Sequence, residues 1–291
     1  MSVPAQQPAT ATSGDGAPPA VRAQRAPRKG PRASPEDAAG RPSSRQILAL
    51  RVGAGVVILA VWQFGAMAFA PSYIPRPSRT IAQIPSVLGD RQFLSGAGST
   101  LLAILEGLII AVLVGTVVGL VMGRLRDVDR GLRLYVNSFY AMPIVALVPL
   151  LTVWFGYTPT ARLAIIVIEA VLPIIFNVAE GVRSISGSYE DVARAYRAPW
   201  WRVWTGVALP ASLPYLLGGI DLAIGRALIG AVVAEFIAAL NGIGYYILFN
   251  VRSFHQDDAV VAVCVLVAFA LVLRALVNLA VRRGLPWYRA A

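Results

Sequence analysis

"TLLAILEGLIIAVLVGTVVGLVMG", Thr100 to Gly123, decides the fold. As a helix it is about 36 Å long, enough to cross a hydrocarbon core of about 30 Å. Glu106 is its one charged residue. A helix of this length on a soluble protein shows a polar face, and this one has none. It therefore reads as a membrane span. Gly115, Gly119 and Gly123 recur at every fourth residue and leave one side of the helix bare, which suits close packing within the chain or between two copies. Gly53 and Val57 repeat that spacing more weakly.

Similar runs lie on both sides. Upstream is "ILALRVGAGVVILAVWQFGAMAFA", Ile47 to Ala70. Downstream, "LRLYVNSFYAMPIVALVPLLTVWFG" is interrupted by Pro143 and Pro149, and "LAIIVIEAVLPIIFNVAEG" covers Leu163 to Gly181. A fifth run lies within "YLLGGIDLAIGRALIGAVVAEFIAAL" and a sixth is "AVVAVCVLVAFALVLRALVNLAV". The fold class is thus an all-α integral membrane protein of about six transmembrane helices over residues 46–285. Prolines inside such spans are tolerated where neighbouring helices satisfy the freed carbonyls, so the spans pack together. The composition agrees, with 57% hydrophobic and 14% charged residues where a soluble domain carries about 25% charge.

Residues 1–45 differ. They are rich in Ala, Pro, Ser and Arg and poor in large apolar side chains, the composition of a disordered tail. They lack the apolar core and cleavage site of a secretory signal. Residues 286–291 are read as a short C-terminal tail. The net charge of +11 does not indicate nucleic acid, because the basic residues sit in the tail and in short loops. With both termini in the cytoplasm, 20 of the 26 basic residues fall to that side, and the asymmetry recurs in every loop. This N-in, C-in arrangement makes the chain a multi-pass membrane protein.

The same orientation places "YEDVARAYRAPWW" in the cytoplasm, between the fourth and fifth spans. As a helix, Val192, Ala193, Tyr196 and Ala198 make a compact small-residue face, while Glu190, Asp191, Arg194 and Arg197 remain hydrated. Small side chains allow another surface to approach the backbone. Pro199 ends the run or opens the next helix. "WWRVWTGVALP" is a second amphipathic piece with tryptophans suited to the interface. The plainer reading is a loop resting on lipid headgroups.

The pattern "DVARAYRAPWWRVWTGVALPASLPYLLGGI" resembles the cytoplasmic signature of ATP-binding-cassette importer permeases. The resemblance implies a type I importer permease fold and a coupling segment over about 186–210. Its short helix, Glu190, Asp191, Val192, Ala193, Arg194, Ala195, Tyr196, Arg197 and Ala198, would dock on an ATPase subunit, and Leu209–Pro210 would close the motif. Asp191 stands where the family usually has Glu, and Arg197 where it usually has Gly. If that Gly serves a left-handed turn, an arginine there is strained; either the turn is built differently here, or this chain pairs with an adapted ATPase. "YIPRPSRTIAQ", "YAMPIVALVPLLTVWFGY", "LPIIFNVAEGVRSI" and "GRALIGAVVAEFIAALNGIGYYI" resemble one subfamily, the nitrate, sulfonate, taurine and bicarbonate permeases. The similarity covers roughly Arg51 to Arg283.

The resemblance implies a homodimer with two ATPase subunits, an external solute-binding protein and surrounding lipid. ATP and Mg would lie on the ATPase, with no cofactor on this chain. The solute would be small and anionic, of nitrate, sulfonate, taurine or bicarbonate type, with a neutral or cationic metabolite such as a vitamin precursor as the alternative. Charged groups inside spans are costly and mark pathways or helix pairing. Glu106, Asp221, Arg226 and Glu235 are the pathway candidates, and Glu169 shares their setting. Asp221 and Arg226 are five residues apart and so poorly placed for each other, whereas Glu106 with Arg226 is a conceivable interhelical pair. Glu235, near the outer end of its span, suits a gate or a docking contact.

The rival classes have less support. An intramembrane enzyme needs a convergent His, Asp or Ser set, and none is visible. The chain has one histidine, His255, which reads as a solvated loop residue, and one cysteine, Cys264, which reads as a small core residue. No phosphate-binding "GxxxxGK[ST]" is present, so ATP hydrolysis belongs to a partner. A secondary carrier would show an inverted repeat and would have no use for the coupling motif.

Overall fold

The glycines of the second span meet the fourth. A Cβ on Gly107, Gly115, Gly119 or Gly123 would strike Ile166, Ile174, Val178 or Val182 respectively. Each pair is separated by the same 59 residues (166 − 107 and 182 − 123), so the two helices run parallel and in register. Spans two and four both run from outside to inside, and the small-residue stripe brings their backbones close. The packing is within the chain, which resolves the choice left by the spacing alone.

The computed structural model describes residues 44–69, 74–185, 192–193 and 195–284. Among the described residues the helices are α1 (Ser44–Phe69), α2 (Pro77–Gly89), α3 (Arg91–Arg124), α4 (Arg126–Ala141), α5 (Val148–Phe155), α6 (Pro159–Arg183), α7 (Leu209–Ala238), α8 (Ile243–Arg252) and α9 (Gln256–Gly284). A 3-10 turn, Ile144–Leu147, leads into α5, and a helical turn, Trp200–Val203, passes through a π-helical stretch, Trp204–Ala208, into α7. Helix α1 begins at Ser44, inside the stretch read as tail; the remainder of that stretch and residues 286–291 lie outside the described residues.

Two units divide the chain at Gly55. The described part of the first, residues 44–55, is helical and exposed. In the second unit, the rest of α1 is tied near its end by Trp62 Nε1, which donates to the Pro75 carbonyl at 3.1 Å, and by Gln63 Oε1, which accepts from the Ser78 amide at 3.1 Å.

Helix α6 is the centre of the second unit. On one side lies α3; on the other α7 runs antiparallel, with Gly219 against Ile174 and Gly181 against Tyr215. Ile104, Ile166, Ile174 and Val178 pack with Ala227 and Ala231 in one apolar core. A second cluster at the outer end joins Val87 of α2, Phe93 of α3, Ile243 and Tyr246 of α8, and Val261 of α9. Phe93 and Tyr246 meet edge to face, with centroids 5.0 Å apart.

Helices α1, α3, α6, α7 and α9 are each long and apolar enough to cross a membrane. The third run is not one straight span. It is bent by 87° between α4 and the Ile144–Phe155 segment, with Met142 and Pro143 at the break. Proline lacks the N–H that would continue the helix, and the residue before it is pushed toward extended backbone, as Met142 is at φ −73°, ψ 135°. Counting the bent pair as one span gives six. The outer stretches read as a Pro-rich segment and a loop contain helices α2 and α8. Pro77 opens α2, a position where its missing N–H costs nothing.

Candidate functional site

Glu235 is fully buried and ion-paired to Arg162, 3.0 Å away and itself 5% exposed. The same carboxylate accepts from the Thr100 hydroxyl at 2.7 Å and from the Gly244 amide at 2.7 Å. Thr100 Oγ1 in turn accepts from the Ile243 amide at 2.9 Å. These amides open α8, so Glu235 and Thr100 satisfy donors that a helix start leaves orphaned, and the carboxylate meets the positive end of the helix. Arg162 also donates to Ser99 Oγ at 2.9 Å and to the Asn241 carbonyl at 3.3 Å. One buried group thus fastens the outer ends of α3, α6 and α7 to α8. Gly242 and Gly244 are needed there, because a Cβ on either would run into the Glu235 side chain. The position of Glu235 suggested a gate or a docking contact; the structure places it in a buried ion pair. Arg162, which is not among the pathway candidates, is its partner.

The mid-membrane charges are sorted differently from the pairing envisaged. Arg226 donates to Glu169 Oε2 at 3.3 Å and stacks its guanidinium over the Tyr140 ring at 5.4 Å. Glu106 is not its partner. That residue lies on the exposed face of α3 between Leu102, Ile109 and Leu113, turned away from α6. The reason is helical phase: Gly107 takes the contact with α6, so its neighbour in sequence points elsewhere. Asp221 pairs with Arg274 of α9, whose Nη2 donates at 2.8 Å. Glu169 is 5% exposed, whereas the Arg226 side chain is 42% exposed. The arginine therefore presents an open edge beside Leu222, Gly225 and Ile229, which are exposed on α7. Such a group offers N–H donors to an acceptor in an apolar setting.

The cytoplasmic segment is described at Val192, Ala193 and from Ala195 onward; Glu190, Asp191 and Arg194 lie outside the described residues. The Tyr196 amide donates to the Val192 carbonyl at 3.0 Å, and the Ala198 amide to the Ala193 carbonyl at 2.9 Å. Arg197 between them has φ 49°. A left-handed residue beneath a bond that spans five residues is the geometry with which glycine usually closes a helix. The turn is therefore the left-handed one, made with an arginine, and is not built differently. Tyr196 is 84% exposed and Val192 57%. Leu209 is exposed and Pro210 stands at the start of α7.

A short exposed cytoplasmic helix, closed by a left-handed turn and joined to a proline-led span in a six-span α protein, is the arrangement that the sequence pattern implied. The model for the binding-protein-dependent transport system inner membrane component matches residues 91–287. The chain belongs to that family. The permease is similar to the putative aliphatic sulfonates transport permease protein of Bacillus subtilis, at 30% identity over 71% of this chain and 75% of the relative. It is similar to the taurine transport system permease protein of Escherichia coli, at 28% identity over 85% and 92%. It also resembles the formylaminopyrimidine transport permease protein of Halalkalibacterium halodurans, at 27% identity over 66% and 76%. The permease is thus an inner-membrane transport component and not an enzyme.

Sequence reading missed one site on the cytoplasmic side. Asp129 of α4 is buried at 9% exposure. Arg133 Nη2 binds its Oδ2 at 2.5 Å, and Arg183, the last residue of α6, binds its Oδ1. "RLRDVDRGLR" counts only as a basic inner loop, and nothing in it points to a partner 54 residues away. Two further expectations are settled by exposure. His255 is exposed between α8 and α9, as a solvated loop residue should be. Cys264 is exposed on α9, as is Val263, and is not a core residue.

Proposed function

We propose that the permease forms, as a homodimer, the translocation path of an ATP-binding-cassette importer and couples that path to two separate ATPase subunits. The observation that carries this reading is the segment Val192–Ala198. Its short helical turn, exposed at Val192 and Tyr196 and closed at Arg197, supports docking on another protein. ATP and Mg bind on the ATPase, and no residue of this chain acts on them. ATP binding draws the two coupling segments together and reorients the path; hydrolysis resets it. An external binding protein delivers the solute. Replacement of Ala193 by glutamate tests the coupling contact, since the larger, charged side chain would be forced into that groove.

The solute path runs along the α7 face that carries Arg226. Its open guanidinium edge favours a small anion, consistent with relatives named for sulfonate and taurine transport. One observation favours a second reading, an uncharged solute. Glu169 neutralises Arg226 from within the core, so the site as a whole carries no net charge, and one relative is named for formylaminopyrimidine transport. Substitution of Arg226 by glutamine separates the two. Transport of an anion should fall at least tenfold, whereas an uncharged solute that uses only hydrogen bonds should be carried within about threefold of the parent rate.

A further inference from the structure

Helix α4 is held at Asp129, at Val128 and Val136, and at Tyr140. Asp129 is its one buried residue among those described. At that end the carboxylate takes one arginine from its own helix, Arg133, and one from α6, Arg183. Arg183 also reaches Glu180 at 3.3 Å, so its guanidinium is fixed from both sides. Val128 and Val136 pack against Met122, Ile175 and Ala179, which seats α4 on α3 and α6 from this end to its middle. The other end carries Tyr140. Its ring meets Phe176 edge to face at 5.0 Å and lies under the Arg226 guanidinium. Sixteen residues separate the ends of α4, about 24 Å of helix. Beyond Tyr140 the chain breaks at Met142–Pro143 and bends by 87°. Helix α4 is thus joined to α6 at Asp129, at Val136 and at Tyr140, and ends at a sharp bend.

Arg183 occupies a particular place. It is the last residue of α6, and the chain beyond it leads to the coupling segment at Val192–Ala198. A pull on that segment would be felt first at Arg183; residues 186–191 between them lie outside the described residues. From Arg183 it passes to Asp129 through a charge-assisted hydrogen bond, which is shorter and stiffer than a neutral one. We propose that Asp129 is a positioning residue: it clamps α4 to the end of α6, so that movement of the coupling segment is delivered to Tyr140 and the Arg226–Glu169 pair. The proposal rests on the reading of Val192–Ala198 as the ATPase contact. Replacement by asparagine keeps the shape and removes the anion between Arg133 and Arg183. The two arginines then repel, and the clamp opens while the apolar seat of α4 remains.

The chain's single cysteine makes a direct test possible. Cys264→Ser with Phe139→Cys places one thiol on α4 beside Tyr140, at a side chain that is 46% exposed. Labelled with bimane, and purified with the ATPase that co-elutes with the unaltered permease, it is read before and after addition of ATP with vanadate. The clamped protein should show an emission shift. With Asp129→Asn the shift should fall at least threefold while the ATPase still co-elutes, and Asp129→Glu should restore it. A full shift with Asp129→Asn overturns the proposal. So does loss of the ATPase from Asp129→Asn, which would make the residue merely structural, and so does an absent shift in the clamped protein. Ala193→Glu in the same labelled background is the separate control: if it keeps both ATPase and shift, the coupling reading fails and not the clamp.

Discussion

Glu235 shows what one buried charge does in this molecule. Its carboxylate receives Arg162, the Thr100 hydroxyl and the Gly244 amide, so desolvation is offset by three donors. Breaking such a pair by removing one partner costs about 3–5 kcal/mol, because the other is left buried and uncompensated. Glu235→Ala should therefore lower the yield of folded permease and its melting temperature in detergent. Glu235→Leu combined with Arg162→Leu should recover part of that loss; equal loss in single and double variants would mean that the pair does not act as a unit. Arg197 gives a second prediction. A left-handed conformation costs a non-glycine residue about 1–2 kcal/mol. Arg197→Gly should raise stability by up to about 1 kcal/mol, seen as a higher melting temperature, and leave the ATPase bound; weaker assembly would show a partner adapted to the arginine. Sequence marked Glu235 by its charge within a span. It did not mark Arg162, since an arginine beside the membrane reads as a loop residue and charge counting carries no information about burial.

At the scale of elements, the register of α3 on α6 follows from four glycines. Gly119 faces Val178 so closely that a Cβ would come within 2.8 Å of its Cβ. Gly119→Leu should separate the helices at a cost of about 1–3 kcal/mol and reduce the folded fraction on size-exclusion chromatography. Gly98→Leu on the same helix should be tolerated, because nothing lies within 4 Å of that position. Equal damage from both would show that the stripe is not the contact. The stripe was legible because a four-residue repeat puts small residues on one face; which helix it met was not, since "GTVVGLVMG" carries no trace of its partner. The bend at Met142–Pro143 was half legible. Paired prolines announce an interruption, but its angle depends on what packs around it. Helix α8 was missed because "IGYYILFNVR" is too short for a span, and its start is stabilised by Glu235 and Thr100, residues distant in sequence.

For the whole molecule, the direction of the spans came from charge asymmetry; the parallel packing of α3 on α6 holds for either direction. In a Cys264→Ser background, Ser78→Cys should react with a membrane-impermeant thiol reagent in intact cells, whereas Tyr196→Cys should react only after the membrane is opened. The reverse pattern would invert the topology. The central claim is that the exposed turn around Ala193 joins the permease to an ATPase, and co-purification of Ala193→Glu tests it most directly. A buried glutamate without a partner costs several kcal/mol, and a dimer would meet that cost twice. The variant should insert, remain dimeric in detergent and lose the co-purifying ATPase at least tenfold relative to the parent. ATPase retained at parental stoichiometry, with transport intact, would contradict the account.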